Sequence, residues 1–125
     1  TLAQTIELGF PQNGDNFSPG QQVTAQVIKP QAMAPTVQVG IALAIDHCEN
    51  GSCPDPADGL GFYLYAGPWT PEAHDPSYIY YQNFTVTIPS NLAKGPAIFT
   101  LTHLCLIGVV WYPLLEFRNA TVNIV

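Results

Sequence analysis

The sequence predicts an all-β chain, an immunoglobulin-like antiparallel β-sandwich of about seven strands. Three observations predict it. Apolar and polar residues alternate with period two in a series of short runs, the spacing that presents one face of a strand to a core. Twelve prolines in 125 residues argue against long helices, because proline removes a backbone donor and clashes with the preceding turn. No stretch of about ten residues carries the i, i+3, i+4 stripe of an amphipathic helix.

The strands follow in order. Ile6 and Leu8 alternate with Thr5 and Glu7 in the first. The stretch "PQNGDNFSPGQQ" is dense in turn residues. It leads into a second strand, where Val23, Ala25 and Val27 alternate with Gln22, Thr24 and Gln26. In the third, Val37, Val39, Ile41, Leu43 and Ile45 share one face. Gly40, Ala42 and Ala44 keep its other face thin, so that strand reads as covered on both sides. Leu60, Phe62 and Leu64 oppose Tyr63 and Tyr65 in the fourth. Phe84, Val86 and Ile88 oppose Asn83, Thr85 and Thr87 in the fifth. Ala97, Phe99 and Leu101 oppose Thr100 and Thr102 in the sixth, and Ala120, Val122 and Ile124 oppose Asn119, Thr121 and Asn123 in the seventh. There is no internal repeat and no linker, so residues 1–125 read as a single domain.

Composition narrows the function. Only three Lys/Arg stand against nine Asp/Glu, a net charge of −6. No basic patch exists to neutralise phosphates, so nucleic acid is not an expected partner. The acidic balance also disfavours anionic membrane surfaces. No apolar run reaches the roughly 18 residues that span a bilayer. The longest, from Leu104 to Leu115, is interrupted by Gly108 and Pro113, and no membrane insertion is expected. The chain starts at Thr1 and reads as a processed, secreted protein. Asn-x-Ser/Thr sequons at Asn16, Asn50, Asn83 and Asn119 agree with secretion and mark candidate N-glycosylation sites. Asn83 and Asn119 fall on the threonine-bearing faces of their strands, where a glycan clears the core.

The stretch "HCENGSC", residues 47–53, concentrates the reactive side chains. A redox motif places Cys-x-x-Cys at a helix start, where the helix dipole lowers the thiol pKa. Here the spacing is wider and no helix is predicted. Cys48, Cys53 and His47, with Asp46 or Glu49, form an alternative zinc set, but zinc wants four well-placed ligands. The reading favoured by turn chemistry is a local disulfide, Cys48 to Cys53, closed by the Asn50-Gly51 turn. Cys105 and His103 share the core parity of Phe99 and Leu101, so they are expected inside rather than as a nucleophile and base at an open site. Asp46, Glu49, Asp55 and Asp58 read as a solvated acidic loop rather than a glycosidase pair or a calcium cage. No catalytic set, metal set or cofactor motif emerges, and a non-enzyme is expected.

Aromatics are the remaining signal. Trp69, Tyr78, Tyr80 and Tyr81 lie in "YAGPWTPEAHDPSYIYYQNF", and Trp111 and Tyr112 in "LIGVVWYPLLEF", the connection between the last two strands. Loop aromatics serve as partner platforms or fold over the sandwich ends. The residues alone leave both readings open.

Several runs taken together, "SPGQQVTAQVIKP", "VQVGIALAIDHCENGSCPDP", "GFYLYAGPWTP", "YYQNFTVTIPSNLAKGPAIFTLTHLCLIG" and "PLLEFRNATVNIV", resemble small secreted proteins of mushroom-forming fungi. The pattern covers nearly the whole chain. It looks like that of the immunomodulatory proteins of wood-ear (Auricularia) fruiting bodies. The resemblance implies a secreted, non-enzymatic protein that stimulates macrophages and cytokine production, with an animal cell-surface receptor, Toll-like among the candidates, as partner. It also supports the Cys48–Cys53 pairing and leaves Cys105 as a thiol. The other expectation is a carbohydrate- or cell-wall-binding module that uses aromatic rings as sugar platforms. The sequence allows a homodimer under either reading.

Overall fold

The computed structural model describes residues 6–30, 36–49, 52–74 and 79–125. Among these, nine strands form: β1 (Glu7–Phe10), β2 (Asn16–Phe17), β3 (Gln22–Lys29), β4 (Thr36–His47), β5 (Phe62–Gly67), β6 (Glu72–His74), β7 (Ile79–Thr87), β8 (Gly95–Ile107) and β9 (Tyr112–Ile124). They build one four-stranded sheet, β1-β3-β7-β6, and one five-stranded sheet, β2-β9-β8-β4-β5. That order is the A-B-E-D and A′-G-F-C-C′ arrangement of an immunoglobulin sandwich. All pairings are antiparallel except β2 with β9.

The chain changes sheets between β1 and β2. The Phe10–Pro11 peptide is cis, and Gly14 takes φ +89° in the turn that follows. Asn13 and Gly14 then tie the turn to β9: Thr121 N–H donates to Asn13 Oδ1 and Gly14 N–H to the Thr121 carbonyl, both at 2.8 Å.

The inner faces are those the alternation predicts. Val23, Ala25 and Val27 meet Phe84, Val86 and Ile88 within one sheet. They pack across the sandwich on Leu43, Ile45, Phe99, Leu101, Val122 and Ile124. Burying so many aliphatic and aromatic side chains, at roughly 1.5–3 kcal/mol each, supplies the main stabilisation of the two layers.

Two strands depart from simple alternation. In β4 the register slips, so that Gln38 faces Cys105 and Gly40 faces Leu104, with Val39 as the extra residue of a bulge. Val37 and Val39 therefore point outward and are half-exposed, although the period placed them with Ile41, Leu43 and Ile45. Gly40 permits the bulge: a Cβ there would lie 3.0 Å from the Gly67 carbonyl oxygen. In β5 a second slip pairs Leu43 with Tyr65 and Ala44 with Tyr63. Tyr65 turns in against the core while Tyr63 stays out.

Cys48 and Cys53 form a disulfide, and Cys105 is a buried thiol outside it. Ser52 N–H donates to the Glu49 carbonyl at 2.8 Å inside the loop, and Cys48 N–H donates to the Pro96 carbonyl at 2.9 Å. The turn residues Asn50 and Gly51 lie outside the described residues. Reduction is expected to lower stability by about 2 kcal/mol, the chain-entropy value for so short a loop. The melting temperature should then fall by roughly 6–10 °C without loss of cooperativity. Thermal melts with and without reductant measure it.

Candidate interaction surface

The chain leaves β3 at Lys29 and enters β4 at Thr36, crossing from one sheet to the other over a short connection. Those two strand ends therefore share one end of the sandwich. Register places further residues there: Tyr80 faces Lys29, Ile107 faces Thr36, and Tyr112 faces Ile107. The β8–β9 hairpin, turning at residues 108–111, projects from this end.

Gly108 opens the hairpin turn at φ +81°, and Trp111 closes it at φ +52°. Trp111 is the one non-glycine residue with positive φ among the described residues. A bulky side chain in the left-handed region is strained by about 1–3 kcal/mol. The turn exposes its apolar side chains. Val109 is 90% exposed, Val110 79% and Trp111 45%. Tyr80 and Ile79, both half-exposed, lie toward the same end. The Lys29 Nζ lies 6.0 Å from the Tyr80 ring centroid. Single exposed apolar residues need no explanation; a cluster of them at one end does.

The expected recognition residues divide. Tyr80, Trp111 and the partly exposed Tyr112 belong to this end. Tyr81 is partly covered by the His74 ring, stacked on it at 3.6 Å and 13°. Tyr78 lies outside the described residues. Trp69 is only 6% exposed and offers no surface. It sits after β5, where Thr70 N–H donates to Gln82 Oε1 at 2.7 Å and the Tyr65 hydroxyl donates to the Pro68 carbonyl. Those bonds fold the segment over the gap between the sheets and bury the indole. The sequence did not single out Val109, Val110 or Ile79; their only signal was an uncharged apolar run where a polar turn is usual.

Behind this end lies a buried polar cluster. The β4 bulge turns Gln38 inward, where its Oε1 accepts Trp69 Nε1–H at 3.2 Å and meets His103 Nε2 at 2.5 Å. His103 Nδ1 contacts Glu116 Oε1 at 2.9 Å, and Arg118 donates to Glu116 Oε2 at 3.0 Å. The Trp69 ring stands edge-on to the imidazole at 5.8 Å. Burial outweighs the Glu116 hydrogen bond and charge, and lowers the His103 pKa from its ordinary value of 6.5. The unfolded chain therefore binds a proton that the folded chain resists. The resulting stability is present above pH 6.5 and is lost as pH falls through the folded value. Denaturation midpoints should hold from pH 8 to 6.5 and decline toward pH 5, and His103→Gln should flatten that decline.

The acidic loop builds no comparable cluster. Asp46 Oδ1 accepts His47 N–H, and Asp55 Oδ1 accepts Ala57 N–H, each at 2.9 Å. Among the described residues no three His, Cys, Asp or Glu side chains converge where they could hold a metal ion. Asn16, Asn83 and Asn119 are exposed, and Asn50 lies outside the described residues.

Fold and surface together define an immunoglobulin-like sandwich with an apolar, aromatic end. The family model that matches the chain is that of the Nis1 family, over residues 1–123. The chain belongs to the Nis1 family. No curated protein matches it.

Proposed function

We propose that the chain is a secreted, non-enzymatic interaction protein that binds its partner through the end of the sandwich built by residues 108–112, Tyr80 and Ile79. One observation carries this reading: Val109 and Val110, the most exposed large apolar side chains among the described residues, lie at the same end as the exposed Trp111 and Tyr80. Apolar and aromatic anchors dominate binding energy at interfaces, whereas exposed ion pairs contribute about 0–1 kcal/mol each. The disulfide and the exposed sequon asparagines accord with an extracytoplasmic life. The wood-ear resemblance makes an animal immune-cell receptor the first partner to test. Titration of labelled protein onto macrophages, with cytokine release as the second readout, tests it. Saturable binding and cytokine release support the reading; neither at any concentration overturns it.

A second reading, glycan or cell-wall binding, draws on Tyr63, which is 76% exposed on the outer face of β5. An exposed ring is a stacking platform for a sugar. A glycan array separates the two: strong, selective spots lost in Tyr63→Ala favour the lectin reading.

A further inference from the structure

We infer that the outer face of the five-stranded sheet is the site where a second copy of this chain docks, giving a two-fold dimer. The inference goes beyond the partner reading and uses a different surface from the hairpin tip. It starts from a contrast between the two outer faces. The four-stranded sheet shows water Gln22, Thr24, Asn83, Thr85 and Thr87, all exposed polar residues. The five-stranded sheet presents Val37, Val39, Leu104, Leu106, Pro113 and Leu115 toward the hairpin end, and the polar Asn119, Thr121 and Asn123 of β9 toward the other. Toward the hairpin end the outward side chains of β4 and β8 are thus apolar and at least partly open to water, whereas Ala44, Ile98 and Thr100, farther along the same face, are already buried within one chain. An apolar patch left open on a sheet face marks a place for a partner.

The relief of that face says what fits it. Small residues on β4 and the turn after β5 leave a shallow hollow of about 400 Å³, lined by Val39, Gly40, Ala42, Gly67, Pro68 and Leu104 among others. Two strands away on the same face, Leu115 stands proud at 59% exposure. Gly40 faces Leu104, and Leu104 faces Leu115, so hollow, strand β8 and knob lie at one level across the sheet. Strands are about 4.8 Å apart. A two-fold axis along β8 over Leu104 therefore carries Leu115 of each copy over Gly40 of the other. Knob and hollow exchange reciprocally, as an isologous interface requires. No Asp, Glu, Lys or Arg is among the residues named here, so two acidic chains meet without like charges in contact. The apolar patch spans on the order of 300 Å² of sheet per copy, less than half the roughly 800 Å² per partner of a standard interface. The dimer is therefore expected to be weak and concentration-dependent.

The test is sedimentation equilibrium from about 1 µM to about 1 mM, a range that brackets the affinity of a small interface. The wild-type protein should move from one to twice the monomer mass. Leu115→Glu places a charge in the hollow and should weaken dimerisation at least about tenfold. Val39→Glu should do the same, and both should melt like the wild type in the dilute, monomeric range. Val109→Asp, at the hairpin tip, should leave the dimer unchanged. A wild-type protein monomeric throughout overturns the inference. So does a Leu115→Glu protein that dimerises as the wild type does, or a dimer lost only in Val109→Asp.

Discussion

Trp69→Ala is expected to cost about 4 kcal/mol and to lower the melting temperature by more than roughly 10 °C. The indole is 6% exposed and belongs to the main core cluster. Removing a buried Trp takes away its transfer free energy and leaves a cavity, together about 3–5 kcal/mol. The change also removes the N–H that Gln38 accepts and the ring edge-on to His103. An amide oxygen that loses one donor in a buried place costs about 1 kcal/mol more. Domains of this size have about 5–15 kcal/mol to lose, so a substantial unfolded fraction at 37 °C is expected. Trp69→Phe separates the two contributions. It refills most of the space but donates no hydrogen bond, and should cost about 1–2 kcal/mol. Any loss of partner binding in Trp69→Ala should track the folded fraction. If the alanine variant melts like the wild type, the segment after β5 does not cap the core.

The second large effect is on binding and leaves stability almost untouched. Trp111→Ala is expected to weaken partner binding at least about 30-fold, the equivalent of 2 kcal/mol for an aromatic anchor. Little else holds the side chain: it is half out of the protein at the end of a turn. Trp111→Gly separates backbone strain from side-chain contact. Glycine relieves the left-handed φ of +52°, while it raises the entropy of the unfolded chain by a comparable amount. The net change in stability should stay within about 1 kcal/mol. Binding is expected to fall while the fold holds, because strain kept at an exposed aromatic points to a contact made by that side chain. Melting curves and cell-binding titrations on the same preparations measure both. A glycine variant that binds as well as the wild type removes Trp111 from the interface.

Strand positions were legible because period two is enforced wherever one face meets a core. Val23 to Val27, Phe84 to Ile88, Phe99 to Cys105 and Ala120 to Ile124 all read correctly, down to the inward turn of His103. Strands β2 and β6 were illegible because two and three residues carry no period. The beginning of β9 was lost for another reason. From Tyr112 to Leu115 both faces are apolar, so alternation vanishes just where a sheet face is greasy on the outside as well. The β4 bulge was hidden by Val-Gln-Val-Gly-Ile, which alternates on paper; only Gly40 marks the place where the backbone slips. Without that slip Gln38 would point outward and the cluster with His103, 65 positions away, would not form. Loop aromatics were ambiguous in principle. The sequence around Trp69 and the sequence around Trp111 look alike, and what separates them is whether the segment folds back over the gap between sheets or forms the tip of a long hairpin.

Recognition is expected to run through the apolar end. Site-specific photo-crosslinking on intact macrophages addresses it most directly. A benzophenone side chain replaces Val110 at the tip in one protein and Thr85, on the polar outer face of β7, in the other. Both positions are exposed, so neither replacement should disturb folding. Recognition through the apolar end predicts a covalent adduct with a cell-surface component from position 110, competed away by unlabelled wild-type protein, and none from position 85. An adduct from position 85 with none from position 110 would contradict it.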